Sequence, residues 1–485
     1  MTDQRLPGGD FAEAFVEFMR AMTEAAEAPE PILQARIREH LGVEPVELPV
    51  TSAEFGVAER PNLQLALDAV LSERETIGFA SPHVGPGDSA FKQLFFRWGP
   101  GRRPGLVPVE YADVELGDGR VVRCIASALL LSSFDGHPVA LVVTGGDGHH
   151  PMGQMGVRLE GISPREGTVP ELLRALRQAM VEHNVFRGRV ISLTPSGSVV
   201  FPSVPRIERE AVVLPEGTLE RLERHAISIS EHADELRGAG RHLKRGVLLH
   251  GPPGTGKTLT VNYLLSATEG RTSVLLTGQA LGQISAAFSI ARDLAPATVV
   301  LEDVDLVAAE RTMPGSHGGV LFELLNQLEG LAEDSDLLVI LTTNRPDLIE
   351  PALAARPGRV DLALELPLPD EEGRRRLLRL YSGEIVLDAE TERELVERIE
   401  GATGALIKEL MRQATLRGAV NGVAPTSADI VRILDELLEE RAALTRRLLG
   451  QPPGGDGPLT PPPEAMTRAF VAAGLPMPHR LHQGP

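Results

Sequence analysis

Apolar and polar positions recur with two different periods along the chain, and these periods predict where strands and helices lie. Between about residues 206 and 365, short apolar runs alternate with amphipathic segments, which is typical of a doubly wound parallel sheet with helices between its strands. Residues 370–447 show helical spacing alone. The predicted fold class is therefore α/β, with an α-helical module after the sheet.

The first 205 residues predict a separate mixed α/β domain. Phe11, Phe15 and Phe18 recur at helical spacing near the start, and packing is the expected role of these rings, with docking of a partner as the alternative. Residues 106–200 then combine several strand-like runs with one helical segment. We expect these residues to bind protein clients or adaptors.

The most apolar stretch, residues 124–143, predicts a β-hairpin. It is interrupted at residues 134–138 by Phe-Asp-Gly-His-Pro, which is a turn signal. Neither half reaches the ~20 apolar residues that a membrane-spanning helix needs. Two paired strands are therefore expected, and no contact with a membrane.

Composition and charge narrow the functional classes. The chain has 485 residues, enough for about three domains. Its net charge of −19 argues against nucleic acid as a partner, because phosphate backbones bind basic surfaces. The single cysteine, Cys124, permits no disulfide within the chain and fits a reducing cytoplasm, and the first residues lack the pattern of a secretion signal.

These changes of pattern place the expected domain boundaries. Residues 1–205 form the N-terminal domain, 206–366 the doubly wound sheet and 367–449 the helical module. The last 36 residues, 450–485, hold 9 of the 38 prolines and predict a disordered tail or a short docking peptide.

Residues 245–260, RGVLLHGPPGTGKTLT, carry a phosphate-binding loop. An apolar strand precedes the glycines and a helical pattern follows them, which is the context that the G-x-x-x-x-G-K-[ST] motif requires. Backbone N–H groups of such a loop surround the phosphates of ATP, its lysine reaches the β- and γ-phosphates, and its threonine hydroxyl binds Mg²⁺. The predicted nucleotide-binding residues are Gly251, Pro252, Pro253, Gly254, Thr255, Gly256, Lys257, Thr258 and Leu259.

Two carboxylates end the next-but-one predicted strand, in the sequence TVVLEDVDLV of residues 298–307. In a P-loop NTPase, one carboxylate at this place supports the Mg²⁺ shell and another polarises the attacking water. We therefore predict that Thr258, Glu302 and Asp303 form the metal site. Asp303 is the predicted general base.

The chain resembles the AAA family of ring ATPases over about residues 215–445. The resemblance rests on GPPGTGKT, LEDVD, TTNRPDLIEPAL and ARPGR together. It implies a P-loop NTPase domain with a doubly wound parallel sheet and a helical lid. It also implies a homo-oligomer, usually a hexamer, that uses ATP hydrolysis to remodel proteins.

The same resemblance assigns further residues by position. Asn344, in TTNRPD, matches the polar residue that orients the attacking water. Arg356 and Arg359, in ARPGR, match the arginine fingers that reach the ATP of the neighbouring subunit. Gly404 and Ala405 match the lid turn that closes over the nucleotide.

Departures from the family pattern lie at the acidic tip and in residues 279–296. Most members have Asp before Glu at the acidic tip, whereas this chain has Glu302 before Asp303, an order similar to that of the mitochondrial AAA translocase that moves the folded Rieske protein. Members that thread a client carry an aromatic–apolar–Gly loop in the segment that corresponds to residues 279–296. Here these residues hold one aromatic residue, Phe288, which is expected to lie on the following helix and to pack into the core.

The leading hypothesis is an ATP-hydrolysing ring that remodels, unfolds or translocates proteins. The alternative is a scaffold that assembles with ATP and hydrolyses it slowly. A nucleic-acid motor is opposed by the acidic composition, and a proteasome-docking activator is expected to end in a hydrophobic–Tyr motif rather than in HQGP.

Overall fold

The structure, a computed structural model, describes residues 13–21, 32–80, 89–95, 105–145, 156–305, 319–330, 335–347 and 360–448. These residues divide into two compact units. The first unit takes in the described residues up to Arg206 together with Glu223–Leu249 and Leu264–Ala363. The second takes in Ile207–Leu222, His250–Tyr263 and the described residues from Leu364 onwards.

The strands lie as follows: β1 (Thr51–Phe55), β2 (Arg74–Ile77), β3 (Phe79–Ala80), β4 (Gly105–Leu106), β5 (Glu110–Glu115), β6 (Val121–Phe134), β7 (His137–Gly145), β8 (Val157–Ile162), β9 (Val190–Leu193), β10 (Val199–Val200), β11 (Arg245–His250), β12 (Thr272–Thr277), β13 (Ala297–Glu302), β14 (Leu337–Thr343) and β15 (Leu362–Glu365).

The helices are α1 (13–21), α2 (Ile32–Leu41), α3 (Arg60–Val70), α4 (Ala90–Phe95), α5 (Thr168–Glu182), α6 (Thr218–Glu223), α7 (Ile229–Glu231), α8 (Ala233–Gly238), α9 (Lys257–Ala267), α10 (Ile284–Asp293), α11 (Gly319–Glu329), α12 (Glu371–Ser382), α13 (Ala389–Arg398), α14 (Gly404–Asn421) and α15 (Ser427–Leu448).

Strands β6 and β7 form the predicted hairpin. They pair in antiparallel register around a turn in which Asp135 and Gly136 both have positive φ, 49° and 75°. They belong to a six-stranded sheet of order β1-β8-β7-β6-β2, in which β5 also pairs with β6. Among the described residues, no helix is both long and apolar enough to cross a membrane.

Helices cover both faces of this sheet, which explains why its central strands are apolar without interruption. Leu130 and Leu141 point to one face, where they pack against α3 and α5 in one core cluster. Leu129 and Val142, one residue away on each strand, join α2 and α4 on the other face, since successive side chains of a strand alternate. The predicted N-terminal α/β fold is therefore present as three layers.

The second sheet is the predicted doubly wound sheet. Its order is β10-β9-β12-β13-β14-β11-β15, and β12, β13 and β14 run parallel. Val274, Val299 and Val339 are register partners across these three strands and are buried. Such doubly covered parallel strands are apolar throughout, which is how the sequence pattern revealed them.

The sheet begins earlier in the chain than expected. Strands β9 and β10 precede the boundary predicted at residue 205, yet β9 pairs in parallel with β12 and β10 pairs with β9. A strand of four residues carries too weak a pattern to show which sheet it joins. Residues 190–200 therefore belong with the second sheet, and the remaining boundaries stay predictions.

The segment after β12 places two of its residues in the core. Residues Gly278–Gln283 form a 3-10 helix in which Ala280 and Leu281 are buried, and the amide of Gln283 donates to the carbonyl of Pro195 at 2.9 Å. Phe288 follows on α10 and is fully buried, as its sequence context predicts.

A buried ion cluster joins the amino ends of the parallel strands. Asp336, just before β14, accepts hydrogen bonds from Arg245 at the start of β11 and from Arg271 just before β12, both at 2.8 Å. All three side chains are less than one-tenth exposed. The two guanidinium groups also donate to backbone carbonyls and to Ser230, whereas Nε of Arg245 is buried without a hydrogen-bond partner among the described residues.

The helical module lies in the second unit and matches its prediction. Helices α12 to α15 share one core that includes Leu378, Ile407 and Leu434. Arg374 of α12 is buried although it is a charged residue, and it donates to the carbonyls of Val396 and Pro369. Its long side chain can satisfy these carbonyls in the core, which the helical period alone does not reveal.

We predict that Asp336→Asn destabilises the first unit by about 3–5 kcal/mol, because two buried guanidinium groups then lose their only carboxylate within this cluster. The measurement is the urea unfolding transition. Asp113→Asn is the matched control, since Asp113 pairs with Arg123 at an exposed site, and its effect is expected to stay below about 1 kcal/mol.

The same carboxylate sets a pH dependence. Burial acts to raise the pKa of Asp336, but the hydrogen bonds and charges of Arg271 and Arg245 outweigh it and lower that pKa below its ordinary value of 3.8. The stabilisation is therefore present above pH 3.8 and is lost as the pH falls through the lower pKa of the folded state. A stability difference between parent and variant that does not shrink below pH 3.8 would contradict this role.

Candidate nucleotide-binding site

The phosphate loop depends on glycine for its backbone. Strand β11 ends at His250, and Gly251, Gly254 and Gly256 have φ values of 148°, 82° and 100°. Such values are strained for residues that carry a Cβ. A Cβ on Gly251 would also lie 2.2 Å from the carbonyl oxygen of Leu366. The loop therefore requires glycine at these positions.

Lys257 is held over the loop. Its side chain is buried, and Nζ donates to the carbonyls of Gly251 at 2.8 Å and Pro252 at 2.9 Å. The hydroxyl of Thr255 donates to the same Pro252 carbonyl at 2.9 Å. The ammonium group is thereby positioned inside the loop as a point charge that suits phosphate oxygens.

Helix α9 starts at Lys257, so its first N–H groups have no partner within the helix and can face an anion. Thr258 is exposed in this first turn, and Leu259 is half-buried. Pro252 and Pro253 are exposed on the loop. The exposed hydroxyl of Thr258 is a suitable ligand for Mg²⁺, which prefers oxygen.

The lid turn lies against the phosphate loop. Thr403 caps α14, and the N–H of Ala405 donates to the carbonyl of Gly254 at 3.2 Å. A Cβ on Gly254 would lie 3.1 Å from the hydroxyl of Thr403, and a Cβ on Gly404 would lie 3.7 Å from the Gly254 carbonyl oxygen. The structure therefore brings the predicted residues Gly404 and Ala405 to the loop.

The acidic tip of β13 presents its two carboxylates differently. Glu302 is half-buried and lies in register with Thr277 of β12. Asp303 is exposed, and its φ of 52° turns the chain out of the strand. This left-handed conformation is uncommon outside glycine, but aspartate adopts it more readily than most residues. Asp303 therefore carries the accessible carboxylate.

Asn344 lies beside Asp303. It follows β14, and its Nδ2 donates to Oδ1 of Asp303 at 3.2 Å. The predicted water-orienting amide and the predicted general base are thus brought together. Arg356 and Arg359, the predicted fingers, lie outside the described residues.

Sequence reasoning missed the residues that support this pair. Thr342 accepts the N–H of Asp303 on its hydroxyl and that of Val304 on its carbonyl, both at 3.0 Å. Asp305, two residues beyond the predicted base, contacts Thr343 and Asn344. The signal was available: polar residues that follow two apolar strands of a parallel sheet meet at the same edge.

The region that contains the phosphate loop and the acidic tip matches a known protein family. The profile of the family described as ATPase family associated with various cellular activities (AAA) matches residues 247–368. A proteasome-activating nucleotidase of Methanothermobacter thermautotrophicus is 33% identical over 211 residues, which cover 40% of this chain and 51% of that protein.

Two further relatives match similar lengths. The 26S proteasome regulatory subunit 8 of Caenorhabditis elegans is 34% identical over 38% of this chain and 47% of its own length. The ATP-dependent zinc metalloprotease FtsH 3 of Sorangium cellulosum is 33% identical over 41% of this chain and 36% of its own length. The chain thus spans about half the length or less of these curated relatives.

We predict that Lys257→Ala loses ATP binding while the protein stays folded, because the ammonium group is the loop's only charged side chain. A charge-assisted hydrogen bond contributes about 1.5–3 kcal/mol, so that a loss of at least about tenfold in affinity is expected. The measurement is titration with a fluorescent ATP analogue beside thermal unfolding. Lys244→Ala, just before β11, is the control; equal affinity of the two variants would refute the assignment.

Proposed function

This chain carries an AAA domain in residues 247–368, and we propose that it binds ATP with Mg²⁺ and hydrolyses the ATP. The observation that carries the proposal is the exposed carboxylate of Asp303 held beside the amide of Asn344 at 3.2 Å. At the ends of adjacent parallel strands, a carboxylate can accept a proton from a water molecule, and an amide beside it can orient that water.

The phosphate loop supplies the binding part of this function. Its N–H groups and the start of α9 would hold the phosphates, Lys257 would bind their oxygens, and Thr258 with Glu302 would support Mg²⁺. When bound, Mg²⁺ neutralises charge on the phosphate oxygens. The glycine backbone and the exposed hydroxyl of Thr258 fit these ligands.

The hydrolysis step needs a base and a stabiliser of charge. Asp303 would accept the proton of the attacking water, and Asn344 would orient that water. Arg359, with Arg356 as the second candidate, would come from a neighbouring subunit and stabilise the charge that develops on the phosphate. This division of roles requires a ring, for which we propose a homo-hexamer.

Protein remodelling is the proposed use of the hydrolysis energy. Two of the similar proteins are proteasome components or activators and one is an ATP-dependent metalloprotease, which supports a protein client. Residues 1–205 would bind the client or its adaptor. The net charge of −19 opposes nucleic acid as a partner, and the single cysteine suits the cytoplasm.

The segment after β12 indicates which part of the chain contacts the client. Ala280 and Leu281 are buried in the core, Gly282 is exposed, and the half-buried Gln283 is bonded to Pro195. Threading members carry a gripping loop at this place. We therefore propose that the client engages the N-terminal domain and is not gripped by residues 278–283. A slowly hydrolysing scaffold is the alternative function.

We predict different failures for the two carboxylates. Asp303→Asn keeps its shape but cannot accept a proton, so turnover should fall at least ~100-fold while ATP stays bound. Glu302→Gln should instead raise the Mg²⁺ concentration needed for ATP binding. Steady-state ATPase rates and Mg²⁺ titrations separate these effects. If Asp303→Asn turns over at the parental rate while Glu302→Gln traps ATP, the roles are reversed.

A second prediction addresses the ring. Arg359→Ala should bind ATP and assemble but hydrolyse at least ~100-fold more slowly. Mixing it with Asp303→Asn should restore part of the activity, because each variant spoils a different side of one subunit interface. A mixture that stays as inactive as its components would show that Arg359 acts within its own subunit.

A further inference from the structure

Asp305 lies behind the predicted base and contacts the residues of the next strand. Its Oδ1 accepts a hydrogen bond from the hydroxyl of Thr343 at 2.9 Å and another from the backbone N–H of Asn344 at 3.2 Å. Asp305 is half-buried, whereas Asp303 is exposed. One oxygen of Asp305 therefore anchors the end of β14.

Thr343 links this anchor to the residue that follows Asn344. The residue is fully buried, and its single hydroxyl hydrogen is donated to Asp305. The hydroxyl oxygen in turn accepts the N–H of Arg345 at 2.9 Å. The backbone on both sides of Asn344 is thus held by one chain of hydrogen bonds, from Arg345 through Thr343 to Asp305.

Asn344 is consequently fixed at two points. Its backbone N–H is bonded to Asp305, and its side-chain amide is bonded to Asp303. Removal of the first contact would leave the amide attached to a backbone that can shift. A displacement of about 1 Å in a positioning group can cost about 100-fold in rate.

We propose that Asp305 is a positioning residue for ATP hydrolysis, which sets the place of the Asn344 amide through hydrogen bonds and not through its charge. The proposal rests on the proposed ATPase function. It differs from a metal or base role because the oxygen of Asp305 that is engaged by Thr343 and Asn344 is turned toward protein donors.

The experiment compares Asp305→Ala with Asp305→Asn in the full chain. Alanine removes the acceptor, whereas asparagine keeps an oxygen that can accept both hydrogen bonds without a charge. For Asp305→Ala we expect kcat to fall about 10- to 100-fold while KM for ATP changes less than about twofold. Asp305→Asn should retain kcat within about fivefold of the parent, and the Mg²⁺ requirement should be unchanged in both.

Two further proteins make the result interpretable. Thr343→Val removes the buried hydroxyl with little change of shape and should lower kcat in the same direction as Asp305→Ala. Asp113→Ala removes an exposed carboxylate of β5 and should leave kcat unchanged. Thermal unfolding of each variant shows whether a loss of rate reflects a loss of fold.

The outcomes distinguish the proposal from its premise. If the parent itself hydrolyses no ATP, the proposed function fails. If the parent is active and Asp305→Asn is as inactive as Asp305→Ala with a raised Mg²⁺ requirement, the charge of Asp305 acts on the metal and the positioning role is wrong. An Asp305→Ala variant with parental kcat would overturn the proposal as well.

Discussion

The arrangement of the second sheet depends on one buried ion cluster. Asp336 binds Arg245 and Arg271, and the three residues stand at the amino ends of β14, β11 and β12. Arg271 also donates to the carbonyl of Ala297, at the start of β13. Because strands rise by a constant distance per residue, the alignment of these amino ends also sets the alignment of the carboxyl ends. The placement of Asp303 and Asn344 at the far edge is therefore linked to charges buried at the near edge.

The carboxyl ends of β13 and β14 show the effect of this alignment. The hydroxyl of Thr342 accepts a hydrogen bond from the backbone N–H of Asp303, and the side-chain amide of Asn344 donates one to the carboxylate of the same residue. If the pairing of β14 with β13 slipped by one residue, the side chains of Thr342 and Asn344 would move to the other face of the sheet. Both of their contacts with Asp303 would then be lost. Asp305 and Thr343 complete the network from the buried side.

The order of the two acids has a structural reason. Residue 302 is the last of its strand and half-buried, while residue 303 has a φ of 52°. Aspartate tolerates this left-handed conformation better than the longer glutamate. The shorter acid therefore occupies the strained and exposed position. Glu302, with its longer side chain, extends from the end of the strand.

The amino-acid sequence by itself determined the parts whose signals are local. The glycines of the phosphate loop, the acids after an apolar strand and the β6–β7 turn each depend on conformations that few residue types adopt, so that short motifs reveal them. The positions of Lys257, Asp303 and Asn344 followed from such motifs, and Arg356 and Arg359 remain predictions outside the described residues.

Only the tertiary structure decided which distant groups meet. The pairing of β9 with β12, the burial of Arg374, the Arg245–Asp336–Arg271 cluster and the anchoring of Asn344 by Asp305 all join residues that lie tens of positions apart. Such contacts depend on strand register and on the packing of neighbouring elements. The hydrophobic period of a single segment contains no information about its partner, because burial is satisfied equally well by many neighbours.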